Sequence, residues 1–316
     1  MRINRLDLNQ LICLDALLSE RNVSRAAERV NLSQPALSAT LGRMREFFGD
    51  PLLVPLGRLM HLTPFAQTLI EPVRDLLLQA RALSQRRPEA DPARIERDIT
   101  VVCSDYVLKT LLAPVLVRAE REAPRLSFEV RSIGGYLEEE LDQGDVDLVI
   151  SLASAIASSH PSQVVMRDSF CCVAWAGNAF VGDKLTRAKF LEAGHVTTVL
   201  GRGRVPTLDQ IALDEQHLTR RVEVRVPAFS LAPPCLVGTN RIATLQRTLA
   251  VELAQQWDLR ILPCPIQIPD VVTAVQWHRY QSHDPAISWV KSALDDASRA
   301  LSARQAASSR QRASPR

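Results

Sequence analysis

Lysine is missing from the first 87 residues of this chain, which carry twelve arginines against eight acids, a net charge of +4. Long apolar runs are missing too. No stretch reaches the ~18 consecutive apolar residues of a membrane helix, and Met1-Arg2-Ile3-Asn4-Arg5-Leu6-Asp7 leads into no signal-peptide block. The expectation is a cytoplasmic protein with no membrane partner. The six cysteines (Cys13, Cys103, Cys171, Cys172, Cys235, Cys264) have no Cys-x-x-Cys spacing, and Cys171 and Cys172 would face opposite sides of a strand. All six are expected reduced and mostly buried, as small hydrophobes. No nucleophile elbow, dinucleotide fingerprint or metal-spaced His/Cys/carboxylate cluster occurs, so neither enzyme chemistry, a cofactor nor a metal is expected. Gly201-Arg202-Gly203-Arg204 lacks the spacing of a phosphate loop. With 46% apolar and 23% charged residues, the chain is neither a disordered tail nor a disulfide scaffold.

The charge that is present is segregated. Residues 302 to 316 hold four arginines and no acid, so the 214 residues between the basic ends carry a net −5. A basic N-terminal part on a mildly acidic 316-residue chain points to a polyanion partner for one end and a different task for the rest.

Asp7 and Gln10 form a capping-box pattern, and Leu8, Leu11, Leu14 and Leu18 give one apolar face to a helix ending near Arg21-Asn22. Ser24 is expected to cap a short second helix, Arg25 to Val30, whose Ala26 and Ala27 let a neighbour approach closely. After a turn at Asn31-Leu32, Ser33 caps a third helix from Gln34 to Phe48. Pro35 is tolerated because the first-turn amides lack intrahelical partners. Leu37, Leu41, Met44 and Phe48 form its inner face. Gln34, Ser38, Gly42 and Arg45, flanked by Pro35, Ala39 and Arg43, form a short polar face suited to a major groove.

Ser-Arg-Ala-Ala-Glu-Arg (24 to 29), Leu-Ser-Gln-Pro-Ala-Leu-Ser (32 to 38), Phe-Gly-Asp-Pro-Leu-Leu (48 to 53) and Leu-Thr-Pro (62 to 64) together resemble the LysR-type transcriptional regulators. The opening Asp-Leu-Asn-Gln-Leu is similar to the branch holding nodulation regulators and regulators of aromatic catabolism. The resemblance covers nearly the whole chain and is most specific in the first 65 residues. It implies a winged helix-turn-helix over residues 1–62, with Gln34, Pro35 and Ser38 reading bases. Ala39 stands where many members have arginine, shifting weight to Arg43 or Arg45. The stretch Pro51 to His61, with Gly57-Arg58 at its tip, resembles the wing. The DNA-facing set is then Ser24, Arg25, Ser33, Gln34, Pro35, Ser38, Arg43, Arg45 and Arg58. Phosphate contacts would supply most of the affinity and base contacts the selectivity.

Thr63-Pro64 opens another helix. Leu62, Ala66, Leu69, Val73, Leu76, Ala80 and Leu83 repeat with alternating spacings of four and three, an a/d seam. A rod from Pro64 to Arg86, about 34 Å at ~1.5 Å per residue, cannot bury that stripe alone. A second copy is the natural partner, docking on the chain's own effector domain being the alternative. Pro72 is expected to kink the rod or cost it a hydrogen bond. Residues 63–94 thus read as a dimerising linker helix and hinge.

Beyond the hinge, strand signals at Ile99 to Cys103, Ser127 to Ile133 and Asp147 to Ser151 alternate with helical stretches at Tyr106 to Ala123 and Tyr136 to Gln143. Strands are also expected at Ser169 to Ala176, His195 to Leu200, Val222 to Val226 and Val271 to His278. Helices are expected near Arg187 to Ala193, Leu208 to Glu215, Pro233 to Val237, Gln246 to Gln256 and Pro285 to Leu301. The order is that of α/β lobes with mainly parallel sheets. The family resemblance implies a periplasmic-binding-protein-like effector domain over residues 95–301, with lobe one 95–165 and 270–301 and lobe two 166–269. It places the effector between the lobes, at strand C-termini and helix N-termini. By position the lining is Ser104, Asp105, Tyr106, Ser151, Leu152, His195, Gly201, Ala228, Phe229 and Ser230, with Trp277 as an addition. Trp257 and Trp289 read as packing residues, and residues 302–316 as a disordered basic tail.

A carboxylate effector would be repelled by Asp105, so a phenol, halogenated or nitrated, donating to Asp105 or Ser104 against Tyr106 or Phe229 is the expected ligand. The alternative at this residue is that Asp105 caps its helix and faces away. Flavonoid-type and benzoate-type inducers, or a constitutive architectural DNA binder, are the other functional readings. The family also implies a palindromic double-stranded operator, a homodimer or homotetramer, RNA polymerase as a partner and activation of a catabolic operon.

Overall fold

The computed structural model describes residues 6–57, 59–85, 91–134, 137–182, 184–201 and 206–313. They form two compact units, one N-terminal and ending at Arg86, the other carrying most of the chain beyond it.

In the first unit, α1 (Leu8–Glu20) begins at Asp7, whose carboxylate accepts the Gln10 amide while the Gln10 side chain accepts the Asp7 amide. The helix stops where Arg21 turns left-handed, at φ 48°. The second helix, α2 (Val23–Arg29), is capped by Asn22 and not by Ser24: Asn22 Oδ1 accepts the amides of Ser24 and Arg25 at 2.9 and 3.1 Å. Asparagine is at least as good an N-cap as serine and lies two residues earlier, so it wins. The third, α3 (Gln34–Phe48), has Ser33 at its N-cap, and Leu37, Leu41 and Met44 buried. Strands β1 (Leu53–Leu56) and β2 (Leu59–Leu62) pair antiparallel, from Leu53 opposite Leu62 to Leu56 opposite Leu59. Gly57 at the tip takes φ 63°, a left-handed conformation that glycine adopts without strain.

The linker helix α4 (Pro64–Gln85) runs on through Pro72. Its stripe divides. Ala66 and Val73 are buried, and Leu69 packs, in the core that Leu14, Leu17, Ala26, Leu37 and Met44 build within the same unit. Leu76 and Leu83 are 50% and 70% exposed. One half of the seam therefore serves the chain's own helix-turn-helix core.

The second unit holds two five-stranded sheets. Lobe one contains β3 (Arg97–Cys103), then a helical stack of α5 (Asp105–Val107), a π turn (Leu108–Leu112) and α6 (Ala113–Glu122). It continues with β4 (Leu126–Arg131), α7 (Leu137–Asp142), β5 (Leu148–Leu152) and β6 (Ser162–Asp168). Lobe two contains β7 (Phe170–Trp175), α8 (Arg187–Glu192), β8 (Gly194–Thr198), α9 (Leu208–Glu215), β9 (Arg221–Val226) and α10 (Pro233–Leu236). It closes with β10 (Ile242–Gln246), α11 (Arg247–Leu253) and β11 (Leu259–Leu262). The chain returns to lobe one through β12 (Val271–Trp277) and α12 (Pro285–Ala313).

The strand orders are β4-β3-β5-β12-β6 and β11-β7-β10-β8-β9. Each sheet has one strand running against the rest: β12 is antiparallel to β5 and β6, and β7 is antiparallel to β10 and β11. The sheets are mainly parallel, as expected, and the single reversed strand in each is the one by which the chain enters a lobe from the other. A continuous core runs through both lobes, from Ile99, Val101 and Ile150 to Val173, Val196 and Leu245. Cys171 joins this core while Cys172 faces the separate cluster around Phe190 and Leu213.

Two further expectations are corrected. Residues 302 to 313 continue α12 as helix instead of forming a disordered tail. Ala, Arg and Gln are strong helix formers, and the missing apolar periodicity there excludes a buried face, not a helix. Trp257 is 38% exposed, whereas Trp289 is buried as expected.

Candidate DNA interface and effector cavity

Gln34, Pro35 and Ser38 lie exposed on the first turns of α3, and Ala39 is exposed beside them. The buried side of the helix is held by Leu37, Leu41 and Met44, so the polar face is presented by a rigid support. Arg43 is exposed, and its Nη2 donates to Thr40 Oγ1 at 2.8 Å. Arg45 is placed differently from its expected groove role. Its Nε donates to the Pro51 carbonyl at 2.8 Å and its Nη2 to the Leu53 carbonyl at 3.0 Å, so it fastens α3 to the start of the wing. Ser33 accepts the Ala36 amide as a cap. Ser24 is exposed, and Arg25 donates to the Glu20 carbonyl at 2.9 Å. Arg58 lies outside the described residues. Asp15 ties the unit together, meeting Arg29 of α2 at 3.4 Å and Arg74 of α4 at 3.3 Å.

Between the two lobes of the second unit lies a cavity of about 440 Å³. Of the residues expected there, Ser104, Tyr106, Ser151, Leu152 and Phe229 line it. They sit where β3 and β5 end and where the turn before α10 begins, the places at which open α/β sheets leave a crevice. The wall is completed by Ile133, Leu137, Glu138 and Glu139 from lobe one, Leu200, Pro206, Thr207 and Leu208 from lobe two, and Phe170, Gln246, Val271 and Thr273 near the crossovers. No lysine, arginine or histidine is among the described lining residues.

Asp105 does not line the cavity, which corrects the expected phenol contact. Its carboxylate oxygens accept the amides of Phe229 at 3.0 Å and Ser230 at 2.7 Å, so a lobe-one side chain caps a lobe-two turn. Ser230 belongs to that latch, Ala228 precedes the turn as its N-cap, and neither is in the wall. Gly201 sits beside the cavity at φ 66°, and a Cβ there would come within 3.1 Å of the Ile133 carbonyl oxygen. Glycine holds that left-handed turn without strain and spares the lobes a tight contact. Arg202, Gly203 and Arg204 lie outside the described residues. Trp277 is buried, with Nε1 donating to Ser282 Oγ at 3.1 Å and Lys291 over its ring.

His195 also leaves the expected set. It is fully buried in β8, its Nε2 lies 2.7 Å from the Phe190 carbonyl, and burial first of all pushes its pKa down to about 4. A neutral imidazole there donates one structural hydrogen bond. Tyr106 gives its phenol hydrogen to Asp168 Oδ2 at 2.9 Å, and Asp168 also accepts the amides of Ser169 and Thr248. Burial, then the Asp168 charge, pushes the Tyr106 phenol up, while burial raises Asp168 against those hydrogen bonds. Tyr106 thus presents its ring, not a titrating hydroxyl, to the cavity. Elsewhere in lobe one the His160 and His278 rings meet at 4.5 Å, tilted by 49°, and each Nδ1 accepts a backbone amide, from Arg279 and Tyr280 respectively.

Two family models match the chain: the bacterial regulatory helix-turn-helix protein of the lysR family over residues 8–67, and the LysR substrate binding domain over residues 93–299. Nodulation protein D 2 of Rhizobium leguminosarum bv. phaseoli is 39% identical over 303 residues, covering 96% of this chain and 95% of that protein. Among solved structures, a full-length OxyR variant from Pseudomonas aeruginosa aligns with a TM-score of 0.70 at 16% identity, covering 92% of this chain and 94% of that one. Full-length CbnR in complex with its target DNA aligns with a TM-score of 0.55 at 16% identity, covering 92% and 100%. The chain belongs to the LysR family of transcriptional regulators. It is a DNA-binding regulator and not an enzyme, and among the described residues no helix is long and apolar enough to cross a membrane.

Proposed function

We propose that this regulator is a cytoplasmic transcriptional activator gated by an uncharged polycyclic phenol of the flavonoid type, which binds between the lobes of the effector domain. The carrying observation is the cavity itself: about 440 Å³, walled mostly by Ile, Leu, Val, Phe and Pro side chains, with Glu138 and Glu139 as the charged groups among the described lining. An apolar cavity of about 150 Å³ is filled by one benzene ring, so this one suits about three. A benzoate would meet two carboxylates and underfill the space. The single-ring halogenated or nitrated phenol loses one of its two expected acceptors, because the Asp105 carboxylate is committed to two amides. The likeness to nodulation regulators points the same way.

On DNA, the reading is a homodimer joined along the exposed Leu76 and Leu83 half of the linker stripe, assembling further into a homotetramer and presenting paired recognition helices to a palindromic site. The ligand biases two arrangements of the assembly and so the recruitment of RNA polymerase. A thermal-shift panel tests the effector class: naringenin and 5,7-dihydroxyflavone are expected to raise the melting temperature, and benzoate and 3-chlorophenol to leave it unchanged. Stabilisation by benzoate alone would overturn the reading.

A further inference from the structure

Most polar groups on the cavity wall are of a kind that tolerates an empty or an apolar neighbour. Ser104 already accepts the Val107 amide at 3.3 Å. Glu138 and Glu139 are exposed charged groups in the first turn of α7, where their carboxylates can reach solvent. Gln246 is different. It is only 4% exposed, it lines the cavity, and its Oε1 is buried with no hydrogen-bond partner among the described residues.

The fold explains why the amide stands there. Gln246 is the last residue of β10, a strand buried along its whole length, and it pairs in register with Phe170, which also lines the cavity. The main chain that follows is spoken for: the Arg247 amide donates to the Ser169 carbonyl, and the Thr248 amide to Asp168. The backbone is therefore fixed, and the side chain lies in the cavity wall. The terminal torsion of glutamine is broad and roughly two-fold, so the amide can turn its oxygen toward the cavity at little cost. A buried amide without a partner is unfavourable, and a ligand that supplies the missing donor gains what the free protein lacks.

We propose that Gln246 is the specificity-determining residue of the cavity, its side-chain amide oxygen accepting a hydrogen bond from a phenolic hydroxyl of the ligand. This rests on the effector class proposed above and adds to it a requirement: the ligand must carry a hydroxyl donor where it meets the end of β10, with its remaining surface apolar. A site built to pair with a hydroxyl discriminates strongly against the analogue that lacks it.

The test uses the full-length protein and two probes of the same ring system, unsubstituted flavone and 5,7-dihydroxyflavone, titrated by calorimetry. The native chain is expected to bind the dihydroxy compound at least tenfold more tightly. Gln246→Leu and Gln246→Met, which keep volume and remove the amide, are expected to bring the two affinities within about twofold while flavone binding is kept. Retained flavone binding also reports that a variant is folded, and Met serves if Leu does not fold. If both variants keep the tenfold preference, or the native chain has none, Gln246 does not set specificity and the effector class stands. If the native chain binds neither probe, the effector class falls and this inference with it.

Discussion

Replacing Asp105 by alanine removes the acceptor for the Phe229 and Ser230 amides, which the carboxylate holds at 3.0 and 2.7 Å. Each amide left unpaired costs about 1–3 kcal/mol. The expected outcome is a melting temperature lower by several degrees, with Asp105→Asn, which keeps one acceptor oxygen, losing less. An unchanged melting curve for Asp105→Ala would show that the latch holds nothing. His195 gives a pH signature of its own. Its pKa is about 4 in the folded chain against an ordinary 6.5, so between those values the unfolded state binds the extra proton. The contribution is complete above pH 6.5 and is lost as pH falls toward 4, on the order of 3 kcal/mol across the window. Melting curves of the native chain and His195→Gln, measured across that range, should converge toward the acid end. A constant difference would contradict the assignment.

At the scale of elements, the helices of the DNA-binding unit were the most legible because each carries its own start and stop. Ser33 and Gly49 bracket α3 within a sequence whose apolar positions repeat at helical spacing. Strands β6, β10 and β11 do not stand out in the sequence, and β10 shows the physical reason. Residue by residue, β10 is buried along its full length and so shows no alternation, and its final Gln246 reads locally as the start of α11. The cavity residues that followed β3 and β5 could be placed from position alone. Gln246 could not, because its meaning depends on a strand invisible in the sequence. Arg45 likewise reads as a free cation in the sequence, because nothing in its spacing reveals the Pro51 and Leu53 carbonyls it reaches. Arg45→Ala should loosen the wing: we expect about 1–3 kcal/mol of destabilisation and faster amide exchange at β1, read by hydrogen exchange. Exchange unchanged at Leu53–Leu56 would remove the strut. For α4, the exposed Leu76 and Leu83 predict that Leu76→Glu with Leu83→Glu weakens self-association at least tenfold in sedimentation, while Ala66 and Val73 keep the helix-turn-helix folded.

At the scale of the whole molecule, the same chain carries two kinds of rigid platform. One is a small, arginine-bearing unit whose exposed Gln34, Pro35 and Ser38 are backed by a close-packed core. The other is a pair of sheets sharing one core and enclosing an apolar cavity, with Asp105 and Gly201 governing how the lobes meet. Their joint use as a ligand-responsive DNA reader is most directly measured by footprinting. Genomic fragments bound by the full-length protein are selected, then probed with DNase I with and without naringenin. We expect a protected site of two-fold symmetry whose boundary or bending pattern changes when the flavanone is added, and whose protection is lost in Gln34→Ala. Identical footprints with and without every phenol of the panel, or none at all, would contradict that expectation.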